Sequence, residues 1–204
     1  MMKGLGLLLF PVLVIALMLG GTALAQKVGD NSVYFTTYYS NANTAGAPDQ
    51  TVRIINDGDT AADLWASFYV FDDSQEMQEC CSCEVTPDGL TSESVNTNLT
   101  ANSLTRKVNT RGVIKVIASS VAATGPANFF DLDGNFTNIP APGLRVWSTH
   151  TQSSAGEFYV SETQAADSNL ASSEKDLLET LCLFVNLLGG GQGSCSCTPE
   201  DYDF

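Results

Sequence analysis

Six cysteines in two tight clusters, behind a segment that reads as an export signal, constrain this chain more than any other feature. Cys80, Cys81 and Cys83 form the first cluster, and Cys182, Cys195 and Cys197 the second. Export to an oxidising compartment makes disulfides the default chemistry of such thiols. Bridges between the clusters would lock the C-terminal part of the chain onto a segment near its middle, restricting the unfolded ensemble. Spacing alone leaves the pairing open. Cys80 and Cys81 are adjacent, so in an extended segment they point to opposite sides and take different partners. Four thiolates holding zinc or an iron–sulfur cluster are the alternative. The spacings differ from the usual Cys-x-x-Cys knuckle, and no histidine lies nearby.

The export reading rests on the N-terminus. Lys3 supplies a positive charge, residues 5–19 are almost wholly apolar, and Ala23-Leu24-Ala25 fits a small-x-small cleavage site. Residues 1–25 are therefore expected to be a cleaved signal peptide. The apolar run is too short, and too closely followed by that site, for a membrane anchor. No membrane insertion is expected after cleavage. The product should be secreted, extracellular or at the cell surface, with the periplasm as an alternative. Losing Lys3 leaves eight basic residues against 23 acidic ones, a net charge of −15. Such a chain repels nucleic acid and anionic lipid.

Residues 26–171 read as short β-type runs broken by Gly, Asn, Asp and Pro. Strands are expected over residues 33–39, 52–55, 64–71, 80–86, 90–95, 113–118, 144–151 and 158–163. Residues 64–71 (LWASFYVF) are apolar on both faces, which predicts a central strand packed on two sides. Residues 92–104 are rich in Ser, Thr and Asn and read as an exposed edge strand or loop. Residues 129–136 suit a hairpin around Asp133-Gly134.

Residues 172–204 are expected to form a C-terminal helix and a cysteine-containing tail packed on the sandwich. Leu177, Leu178, Leu181, Cys182, Phe184, Val185 and Leu188 fall at helical spacing and read as one apolar stripe. Ser172 or Ser173 is the expected N-cap. Glycines 189–191 are the expected stop. The fold class predicted is mainly β: an antiparallel β-sandwich, immunoglobulin-like or jelly-roll, with one C-terminal α-helix.

Residues that carry chemistry are few. His150 is the only histidine. It lies on the strand phase of Leu144 and Val146, and at a strand end it reads as a polar surface residue. No Gly-x-Ser-x-Gly elbow is present. Glu157 and Glu162 are five positions apart, so one strand presents them on opposite faces rather than as a dyad. No catalytic residue is therefore assigned. Asp131, Asp133 and Asn135 place oxygens at alternate positions, as a Ca²⁺ loop does. The Gly falls at the fourth place rather than the sixth, and Pro142 stands where a Glu is needed, so a hairpin turn is the preferred reading. Ca²⁺ is the one cofactor in view. Asn98 and Asn135 each open an N-glycosylation sequon. Trp65 and Trp147 lie within strand runs and read as packing residues.

Residues 34–56 (YFTTYYSNANTAGAPDQTVRIIN), Tyr69-Val70-Phe71-Asp72, Glu79-Cys80-Cys81-Ser82-Cys83 and Cys195-Ser196-Cys197 together carry a resemblance. The chain resembles a family of secreted bacterial β-rich proteins of unassigned function with paired Cys-Cys-x-Cys and Cys-x-Cys clusters. The resemblance implies an exported β-rich domain with paired cysteines, and it brings no catalytic residues.

These features predict a secreted, non-catalytic structural or adhesive protein, such as a cell-surface, matrix or filament subunit. Its partners would be other copies of itself or a cell-surface component. A secreted module binding sugar or Ca²⁺, or a small hydrolase, are the alternatives.

Overall fold

Alternation of apolar and polar residues translates into two antiparallel sheets in the computed structural model, which describes residues 31–121 and 138–190. The export segment 1–25, the Asp131–Asn135 loop with its hairpin, and Cys195 and Cys197 lie outside the described residues.

The first sheet runs in the order β4-β3-β6-β1-β9. Its strands are β1 (Tyr34–Ser40), β3 (Leu64–Asp72), β4 (Met77–Val85), β6 (Arg111–Ser119) and β9 (Ala166–Asp167). The second runs β5-β2-β7-β8, formed by β2 (Thr51–Asn56), β5 (Leu90–Ser94), β7 (Leu144–Ser154) and β8 (Glu157–Gln164). The two antiparallel sheets form a sandwich rather than a closed barrel.

Period-two alternation explains the layering. Phe35, Val116, Phe68 and Cys81 are successive cross-strand neighbours and face the core between the sheets. Val52, Ile54, Leu144 and Val146 meet them from the second sheet. The opposite face of the first sheet carries Tyr34, Tyr69, Met77, Cys80 and Ile117. Helix α1 (Ser172–Leu187) covers it with Leu178, Cys182 and Val185. The central strand β3 is thus packed on both sides, as its two-faced apolar run predicts.

Two corrections concern α1. Its N-cap is Ala171, with no side-chain cap bond, and Ser172 and Ser173 lie inside the helix. The predicted apolar stripe is also wider than the buried face. Leu177, Phe184 and Leu188 remain exposed, because the sheet meets only one side of the helix. The helix stop is as expected: Gly189 has a φ of 82°, and the Gly190 N–H donates to the Val185 carbonyl at 2.9 Å.

A third correction concerns residues 92–104. β5 ends in a five-residue π-helix, Val95–Leu99, whose Val95 and Leu99 are fully buried in the core. The Ser/Thr/Asn-rich composition conceals these two anchors. Gly112 in β6 has a steric reason for lacking a side chain. A Cβ there would lie 1.9 Å from the Phe71 carbonyl oxygen, which accepts a bond from the Tyr39 hydroxyl at 3.1 Å.

Candidate interaction surface

β4 sorts its cysteines by alternation. Cys80 points to the helix, and Cys81 and Cys83 point into the core between the sheets. Cys80 is bonded to Cys182 across 102 residues, with a Cα–Cα distance of 5.6 Å. The bridge ties α1 to β4, so cross-cluster pairing is observed at this position. Cys81 and Cys83 are also disulfide-bonded, and among the described residues no cysteine is free. A thiolate cluster for zinc or iron–sulfur would need these sulfurs reduced.

Polar contacts add to this attachment. Glu174 accepts from the Lys115 ammonium at 2.5 Å and from the Tyr34 hydroxyl at 3.0 Å. The Lys115 bond is the main reason that the Glu174 carboxyl titrates below its ordinary value. Burial, reinforced by the bond to Glu174, pushes the Tyr34 hydroxyl up. Glu179 accepts from the Asn138 backbone N–H at 2.6 Å, and Asn138 donates to the Tyr69 hydroxyl at 2.7 Å.

His150 is buried, at 2 % exposure, which corrects the surface reading. Its phase with Leu144 and Val146 places it on the inward face. The ring stacks on Tyr38 with centroids 4.1 Å apart. Nδ1 lies 3.1 Å from the Tyr38 carbonyl oxygen and Nε2 lies 2.8 Å from Thr163 Oγ1. A carbonyl only accepts, so Nδ1 carries the proton and Nε2 accepts from the hydroxyl. Burial holds the imidazole below its ordinary pKa, opposed by the bond to Tyr38. Both nitrogens are occupied: Nδ1 joins the two sheets, and Nε2 is held by β8 of its own sheet.

The carboxylates considered for hydrolysis do not converge. Glu162 pairs with Arg53 at 2.6 Å, Glu157 accepts from the Tyr159 hydroxyl at 3.2 Å, and Asp167 lies in β9 of the other sheet. Among the described residues no group of three His, Cys, Asp or Glu side chains is placed to hold a metal ion. Asn98 sits in the π-helix, and its amide nitrogen donates to the buried Glu93 at 2.6 Å. Asn135 lies outside the described residues. Trp65 and Trp147 are half-buried and belong to neither core cluster.

Of the strands longer than two residues, the least covered is β8. It is the outer strand of its sheet, hydrogen-bonded only to β7. None of its eight residues is buried. Tyr159 and Val160, near its centre, are more than half exposed. The β7–β8 hairpin turns at Ala155 and Gly156, both with positive φ (52° and 84°), as a tight two-residue turn requires. The run from Glu157 to Gln164 has neither proline nor lysine; its charges are Glu157 and Glu162, and Glu162 is paired with Arg53. Alternation in residues 158–163 predicts a strand here. That none of its residues becomes buried is a tertiary fact.

Comparison with family models, with curated proteins and with solved structures finds no match to this chain. Among the described residues no helix is long and apolar enough to cross a membrane.

Proposed function

We propose that this protein is an extracellular, non-catalytic structural subunit that associates with further copies of itself by strand addition at β8. The observation that carries the reading is the exposed eight-residue edge with Tyr159 and Val160 at its centre. An unpaired row of N–H and C=O groups is a template for another strand, and side chains on alternate positions set the register. Antiparallel pairing of two β8 strands about Val160 sets Glu157 opposite Thr163 and Phe158 opposite Glu162, which avoids like charges face to face. The disulfide tying α1 to β4 supports service in an oxidising environment outside the cell. Engagement of Glu162 by Arg53, and of both His150 nitrogens, supports a non-catalytic role.

The test is sedimentation velocity and electron microscopy of the mature chain over a range of concentrations. Wild type should form concentration-dependent oligomers. The double variant Y159K/V160K should stay monomeric with an unchanged Tm, because these side chains support no core. A wild-type protein that remains monomeric throughout overturns the reading.

A further inference from the structure

Seven cations lie among the described residues. Five are ion-paired: Arg53 with Glu162, Arg111 with Asp73, Lys115 with Glu174, Arg145 with Asp57, and Lys175 with Glu179. The other two, Arg106 and Lys107, make no salt bridge among the described residues, although the Lys107 charge is one of those that hold the Asp73 carboxyl low. Both line the same polar cleft of about 360 Å³. In a chain of net charge −14, two adjacent cations left out of the ion-pair pattern call for an explanation.

The cleft lies beside β5, at the opposite edge of the second sheet from β8. One wall is Asn43, in the loop after β1. The other is the π-helix with the loop that follows it, through Asn96, Thr100, Asn102 and Ser103. The walls are held rigidly. The Asn43 N–H donates to Asn96 Oδ1, and Asn43 Nδ2 donates to Thr100 Oγ1 and to the Asn109 carbonyl, each at 2.9 Å. The Asn102 N–H donates to the buried Glu79 at 2.6 Å, and Ser103 Oγ donates to the Lys107 carbonyl at 2.8 Å. Asn43 and Arg106 both hold left-handed backbone, with φ of 53° and 56°. Such conformations persist only where the surroundings impose them. π-helical turns are themselves concentrated at functional sites. Next to the lining residue Val108, Asn109 is buried with neither side-chain amide atom hydrogen-bonded among the described residues.

We infer that this cleft binds a short oligosaccharide of uronate residues, one carboxylate of which is held by Arg106 and Lys107. Arg106 supplies a planar fork that matches a carboxylate, and Lys107 adds a second charge beside it. Asn96 and Asn102 line the same cleft and bring amide groups that can bond sugar hydroxyls, and the exposed Val108 offers an apolar surface to a ring face. The acidic chain as a whole repels long polyanions, so a short uronate chain of few charges suits it better than a phosphate polymer. The inference does not rest on strand addition at β8, and the two are tested separately.

Calorimetric titration of the mature protein with tri-galacturonate tests the assignment, with galactotriose and inorganic sulfate as comparators. Tri-galacturonate should bind at one site, at least tenfold more tightly than either comparator, and more weakly in high salt. The variant R106Q/K107Q should lose at least tenfold in affinity, while R106K/K107R retains most of it. Both pairs of side chains are exposed, so Tm and oligomeric state should match wild type. No binding of tri-galacturonate, equal binding by R106Q/K107Q, or equal affinity for sulfate overturns the assignment. Loss of oligomers in Y159K/V160K with saccharide binding intact would separate the two sites.

Discussion

Leu177 and Leu178 are neighbours on α1 and look alike in the apolar pattern, yet truncating them should have very different consequences. Leu178 is fully buried between the helix and the outer face of the first sheet, whereas Leu177 is 51 % exposed. Leu178→Ala removes three carbons from a closed site. At ~0.8 kcal/mol per buried carbon the transfer loss is about 2.4 kcal/mol. The gap it leaves adds to this, because the Cys80–Cys182 bridge one turn later holds the helix against β4 and limits its collapse into the space. A total of about 3 kcal/mol follows, within the range of buried leucine truncations. For a chain of this size that corresponds to a fall in Tm of roughly 6–12 °C. Leu177→Ala should cost under about 1 kcal/mol, because half of its side chain already meets water and alanine is the better helix former. Urea denaturation of the oxidised protein, followed by circular dichroism, measures both. Equal costs for the two variants, within about 0.5 kcal/mol, would refute the docking of α1 described above.

Three further outcomes follow from the same packing. Glu174→Gln should lose about 1 kcal/mol at pH 7, typical of a partly exposed ion pair; because the folded carboxyl titrates low, that contribution is present above the unfolded value of 4.5 and fades as pH falls through the folded one, so denaturation at pH 7 and pH 3 should show the variant converging on wild type. His150, as the only histidine, gives a single imidazole resonance whose NMR titration should have its midpoint below 6.5. Since its folded pKa is depressed, the unfolded chain takes up the proton first, and stability should fall as pH drops below 6.5; a midpoint above 6.5 contradicts the buried neutral ring. Partial reduction with stepwise alkylation should recover a Cys80–Cys182 cross-link and connect Cys81 and Cys83 to Cys195 and Cys197; a Cys80 linked to either tail cysteine contradicts the arrangement.

Much of the strand layout is legible in the sequence because a pleated backbone forces period two. Residues 64–71 declare a doubly covered strand, and the strands expected over 52–55, 90–95 and 158–163 match β2, β5 and β8 to within one residue at each end. The opposition of Cys80 and Cys81 is legible for the same reason. The π-helix is not, because two buried residues in a polar stretch leave no periodic trace. Nor does a polar residue at a strand end announce its burial. His150 is inside because Tyr38 closes over it from the other sheet, a contact between residues 112 positions apart. The candidate surfaces share this character. The alternation of residues 158–163 is visible, but an uncovered strand looks like a covered one until its neighbours are placed.

By itself the sequence determined the class: a mainly β sandwich with one C-terminal helix, acidic and rich in clustered cysteines. Local backbone geometry and the periodicity of apolar residues suffice for that. The tertiary structure alone decided which side of α1 is buried, which cysteine meets Cys80, that β8 is left as an open edge, and that Arg106 and Lys107 share one cleft. These depend on which segments distant in the chain become neighbours. That choice is made by the packing of whole faces against one another, which no single stretch of sequence encodes.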